Sequence, residues 1–131
     1  MAAPRVPTSD EVRALLARGS GSNCAATSPA ARDPRLRPRL LPLGPEAAGE
    51  QVARAIAGIR GWRVVGRRDG VVQATRATRV FHFVNDISIL LETAAGGTAV
   101  SARSASRIGG GDFGQNRRNL AELWRALGLQ E

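Results

Sequence analysis

Five side chains near the C-terminal end could hold an anion: Arg103, Arg107, Asp112, Asn116 and Arg117, grouped around the run Gly109-Gly110-Gly111. Guanidiniums grip phosphate and carboxylate with two parallel donors, and glycines ahead of a helix leave backbone N–H groups open. The run is not a Walker loop, because no Lys-Ser or Lys-Thr follows it. The same residues have a structural reading, and the balance favours it. Asp112 caps the last helix, pointing its carboxylate at those amides. Asn116 and Arg117 then tie the loop to the sheet, and Arg103 or Arg107 pairs with Asp86 or Asp112. Ion-pair networks of this kind often imitate sites.

A second constellation is Cys24 with His82 and Asp86, a nucleophile, a base and an orienting carboxylate if they meet. Nothing in their linear order brings them together. A lone Cys is commonly a small buried hydrophobe, and His82 lies between Phe81 and Phe83 in a strand-like run. Whether the chain is an enzyme stays open, and no catalytic residue is assigned. One Cys and one His exclude a disulfide within the chain, a thiolate zinc cluster and a multi-His site, so no metal site and no cofactor are implied. A third candidate is the arm carrying Arg32, Arg35, Arg37 and Arg39, which could strap onto phosphates of a nucleic acid or an anionic membrane surface. It has no interleaved aromatics and no nucleic-acid motif, so a solvated tether is the better reading and nucleic acid is not the expected partner.

All 19 basic residues are Arg, and the formal charge is +8. Arg, Ala and Gly are abundant together, as codon bias in a genome rich in G and C would make them; charge of this kind bears on solubility and non-specific binding more than on fold. The 131 residues suit one domain, with 43% hydrophobic content for its core. No stretch has the length of a signal peptide's apolar region or of a membrane span, and a soluble cytoplasmic protein is expected.

The elements that must position these residues are legible as patterns. Residues 8–19 predict a short helix capped by Thr8 or Ser9, with Val12, Leu15 and Leu16 on one face. Residues 20–39 read as an extended Gly/Ser/Pro/Arg arm, and Leu40-Leu41-Pro42-Leu43 as a short extended segment before Pro45. Residues 46–60 predict a helix, and residues 62–67, 71–76, 87–92 and 98–104 predict strands, the first two joined at Asp69-Gly70. Residues 79–84 are a further strand or an irregular crossing. A last helix over 113–127 carries Leu120, Leu123, Trp124 and Leu127 inward. Together they predict an α+β two-layer sandwich: one antiparallel sheet of four or five strands, two helices on one face, and a short N-terminal helix. The expected organisation is an N-terminal extension (1–19), the arm (20–39) and the α+β domain (40–131).

Three stretches carry a family resemblance: Phe83-Val84-Asn85-Asp86, Arg103-Ser104-Ala105-Ser106-Arg107, and Asp112-Phe113-Gly114-Gln115-Asn116-Arg117-Arg118. With Ser22-Asn23-Cys24, they resemble the bacterial and plastid family called domain of unknown function 1499. That family's pattern is an aspartate pair opening a strand, then Arg-Ser-Ala-Ser-Arg, then Gly-Tyr-Ser-Asp, and a Gly-x-Asn-Arg start to the last helix; Pro-Asn-Cys lies in the arm. The resemblance spans roughly residues 20–128. It implies signature positions at Asn23, Cys24, Asp86, Arg103, Ser104, Ser106, Arg107, Asp112, Gly114, Asn116 and Arg117. The chain departs from the pattern at Ser22, at Asn85 in place of the first aspartate, at Ser88 in place of an acid, and at Gly110 and Gly111 in place of Tyr and Ser.

The resemblance implies a fold and signature positions with no settled activity. The leading functional expectation is a non-enzymatic binding or scaffold domain, with a protein partner or a small anionic ligand. The alternatives are a small-anion or phosphometabolite site at Arg103, Arg107 and Gly109–Gly111, and an enzyme using Cys24 with His82 and Asp86.

Overall fold

The computed structural model describes residues 5–129, so the first four residues of the N-terminal extension and the last two of the expected 40–131 domain lie outside the described residues. The elements run α1 (Ser9–Ala17), β1 (Cys24–Ala26), a 3-10 turn (Pro34–Leu36), β2 (Arg39–Leu41), α2 (Pro45–Ala57), β3 (Trp62–Arg68), β4 (Val71–Ala77), β5 (Val84–Ala94), β6 (Gly97–Ser106) and α3 (Gln115–Ala126). The fold is α+β with one antiparallel sheet ordered β1-β6-β5-β4-β3, and β2 also pairs with β6. The sheet has six strands, not four or five. The two extra pieces are three-residue segments, Cys24–Ala26 in the arm and Arg39–Leu41 where the arm meets the domain, too short to show a period, and they take up the outer edge of β6.

Side-chain alternation divides the sheet. Ile87, Ile89 and Leu91 of β5 and Val100 and Ala102 of β6 face the main core with Val52 and Ile56 of α2 and Leu120, Leu123 and Trp124 of α3. On the opposite face Val71 and Leu90 meet Val12 of α1, with Val6 and Leu16 packed alongside. Helix α1 is entered through a capping box: Thr8 Oγ1 accepts from the Glu11 amide, and the Glu11 carboxylate accepts from the Thr8 amide.

Arg35, Arg37 and Arg39 bond within the arm, and Arg39 also reaches the C-terminal end of the chain. Arg37 Nε donates to the Ala31 carbonyl, Arg39 Nε donates to the Leu129 carbonyl, and the Arg39 guanidinium lies 4.9 Å from the Trp124 ring centre. Arg35 and Arg117 both hold Asp33, and chiefly through Arg35 its carboxyl is pulled from 3.8 down to about 2. A segment without periodicity is thus fixed by guanidinium-to-carbonyl bonds rather than by a hydrophobic stripe.

Residues 79–83 are a loop, not a strand. His82 has φ +54°, and the loop is closed by the Thr78 amide donating to the Phe83 carbonyl and the His82 amide donating to the Thr78 carbonyl. Among the described residues no helix is long and apolar enough to cross a membrane.

Candidate functional site

The strand parity of β6 sorts the signature residues onto two faces. Ser104 and Ser106 follow Val100 and Ala102 and point towards α3, whereas Arg103 and Arg107 point the other way. Of the pairings expected for Arg103 or Arg107, those with Asp112 are therefore not made. Arg107 does take Asp86, in a two-pronged pair with Nε to Oδ2 at 3.0 Å and Nη2 to Oδ1 at 2.9 Å. Arg103 lies opposite Ser88 on β5, and its Nε is buried with no hydrogen-bond partner among the described residues. Ser88 is one of the departures from the resembled pattern: its hydroxyl donates to Gln73 Oε1 at 2.7 Å, so no acid faces Arg103 from that position. Arg117 does not tie the loop to the sheet; it reaches Asp33.

Towards α3, a buried polar network joins the arm, β5, β6 and the helix. Asn116 is at its centre and is fully buried. Its Oδ1 accepts from Ser104 Oγ at 2.7 Å; its Nδ2 lies within reach of Asp112 Oδ2 (2.6 Å), Ser106 Oγ (2.9 Å) and the Asn23 carbonyl (3.0 Å). An amide has two hydrogens, so these three acceptors share them. Asn119, one turn on, donates to Asn85 Oδ1 and Ser104 Oγ and accepts from Gln115. Asn85 completes the circuit by donating to Ser106 Oγ.

Asp112 does cap the helix, but from two residues ahead of the cap position, which Gly114 occupies at φ +81°. Its carboxylate accepts from the Gly114 amide at 2.8 Å and, at 3.4 Å, from the Asn116 amide. The helix starts at Gln115 rather than Phe113 because Gly114 turns left-handed, a conformation glycine adopts without strain. Asn23 reaches across from the arm, accepting from the Gly111 amide at Oδ1 (2.7 Å), and the Asp112 amide donates to the Ser22 carbonyl. Those glycine-loop amides are thus bound by the chain itself.

Cys24, His82 and Asp86 do not assemble. Cys24 is half-buried with Sγ 3.7 Å from the Gly19 carbonyl, both Asp86 oxygens are on Arg107, and exposed His82 is hydrogen-bonded to neither. Among the described residues no group of three or more His, Cys, Asp or Glu could hold a metal ion.

The network forms the floor of something composition did not reveal. Between the β4–β5 loop and the β6–α3 loop lies a cavity of about 650 Å³. Asn85, Ser106, Asp112 and Gln115 line its base; Val80, Phe81, Phe83, Ile108 and Phe113 make its walls and rim. Phe81 and Phe83 stack with ring centres 5.4 Å apart. Arg76, Arg79 and Arg118 also border it. Arg76 is paired with Glu122, but Arg79 and Arg118 are in no ion pair among the described residues. Sequence reasoning missed Asn119, Arg79, Arg118 and the rim. A signal existed for the first: Asn116 and Asn119 fall on the inward stripe with Leu120 and Leu123, and a polar residue there needs a buried partner.

The family model for Protein of unknown function (DUF1499) matches residues 15–127. No curated protein and no solved structure matches the chain.

Proposed function

The chain belongs to the DUF1499 family of proteins of unknown function, and from that premise we propose that it is a non-enzymatic binding domain whose cavity takes a small amphiphilic anion. One observation carries this reading: an apolar-walled cavity bordered by two guanidiniums, Arg79 and Arg118, that have no carboxylate of their own among the described residues. Ligand sites characteristically combine apolar walls with a few fixed polar groups. Here the floor offers amide and hydroxyl groups held rigid by the network, and the rim offers positive charge. The anion site thus moves from Arg103 and Arg107, whose side chains face the other side of the sheet, to the Arg79/Arg118 side. A cytoplasmic site of action goes with this reading.

The test is titration calorimetry with decanoate, and with decanol as the uncharged control. Saturable binding of decanoate that weakens at least about tenfold in the Arg79→Ala/Arg118→Ala variant is expected, since a charge-assisted contact contributes ~1.5–3 kcal/mol. Equal affinity for decanoate in parent and variant, or no saturable binding at all, overturns the reading.

A further inference from the structure

Among the described residues six large hydrophobic side chains are exposed, and five of them sit on the two loops at one end of the sheet. Phe113 is 94% exposed, Val80 75% and Phe81 72%; Ile108 and Phe83 are the others. A monomeric surface seldom concentrates apolar groups this way without a partner. We propose that this loop end docks on an anionic lipid bilayer, with Val80, Phe81, Ile108 and Phe113 entering the boundary between headgroups and acyl chains.

Three features favour a bilayer over a protein face. The apolar groups stand at the tips of two separate loops, a shape that suits a deformable phase. The bases of both loops are held from within, which fixes the tips in place: the Thr78 and His82 amides bond within the β4–β5 loop, the Phe83 amide donates to Thr78 Oγ1, and the Gly111, Asp112 and Gly114 amides bond to Asn23, Ser22 and Asp112. The charge is complementary as well. Among the described residues Arg79 and Arg118 are in no ion pair, and the acids of this end, Asp86 and Asp112, are bound by Arg107 and by helix-start amides. Exposed arginines beside inserted aromatics are the combination that holds a peripheral protein on anionic lipid. The chain's net charge of +8 adds long-range attraction.

The inference goes beyond the binding reading and needs no ligand in the cavity. The experiment is flotation of the full chain with vesicles of phosphatidylcholine alone and of phosphatidylcholine mixed with phosphatidylglycerol, without soluble amphiphile. Binding to the mixed vesicles, weakened by added salt, is expected. The Phe81→Ser/Phe113→Ser variant should keep its fold by circular dichroism, because both side chains are exposed, and should bind at least about tenfold more weakly. If parent and variant bind the mixed vesicles equally, attraction is charge alone and the inference fails. It fails too if the parent ignores both kinds of vesicle, and binding of poly-glutamate in that case would assign the surface to an acidic protein partner.

Discussion

Replacing Asn116 by Ala tests whether the buried network holds α3 to the sheet. The amide's donors serve Asp112, Ser106 and the Asn23 carbonyl, and its oxygen takes the Ser104 hydroxyl. Loss of the contact to ionised Asp112 costs ~1.5–3 kcal/mol, although the carboxylate keeps the Gly114 amide. The neutral contacts each contribute ~0.5–1.5 kcal/mol, and any acceptor left buried without a donor adds its desolvation. Some relaxation around the smaller side chain recovers part of this, so about 3 kcal/mol is the expected loss, a large share of the ~5–15 kcal/mol that holds a domain folded. Urea denaturation reads it as a lower midpoint at unchanged slope. A double-mutant cycle with Asp112→Ala should show a coupling of ~1 kcal/mol or more, because the two side chains touch. A loss below about 0.5 kcal/mol for Asn116→Ala would refute the reasoning, since surface changes alone fall in that range.

Two further outcomes follow from the same geometry. Asp112→Ala should destabilise by ~1–3 kcal/mol through the lost cap and the freed Asn116 donor, with Asp112→Asn costing less because Asn also caps; chemical denaturation of both beside the parent checks it. Asp33, held at about 2 chiefly by its hydrogen bonds from Arg35, stabilises the fold fully above its ordinary value of 3.8 and loses that contribution as pH falls through about 2. Asp33→Asn should therefore cost about 1 kcal/mol at neutral pH after allowance for solvent screening, and the gap to the parent should close in acid; a gap independent of pH would contradict the pairing.

Much of this fold is legible because its elements carry local signals. Thr8 with Glu11 marks the start of α1, Asp69-Gly70 marks a hairpin, and the Leu120–Leu127 stripe marks the buried side of α3. The strand Cys24–Ala26 is not legible, because it is defined by partners about eighty residues away on β6 rather than by its own pattern; Arg39–Leu41 overlaps the extended run Leu40–Leu43, but nothing in that run says which strand it joins. The site was half legible. The signature residues Asn23, Ser104, Ser106, Asp112 and Asn116 do meet in one network, and Arg107 does pair with Asp86. Parity along β6 already separates Arg103 and Arg107 from Ser104 and Ser106, but the glycine loop hides which side Asp112 returns to. The rim escaped notice because Phe81 and Phe83 alternate like a strand, while the left-handed turn at His82 makes them a stacked pair on a loop.

The most direct test of the binding account is an amide chemical-shift map of the protein titrated with decanoate. The account predicts saturable shifts concentrated in residues 76–85 and 106–118, which border the cavity, and their loss in the Arg79→Ala/Arg118→Ala variant. Shifts centred instead on Arg103 and the α1 face, or spread without saturation over the arginine-rich surface, would contradict it.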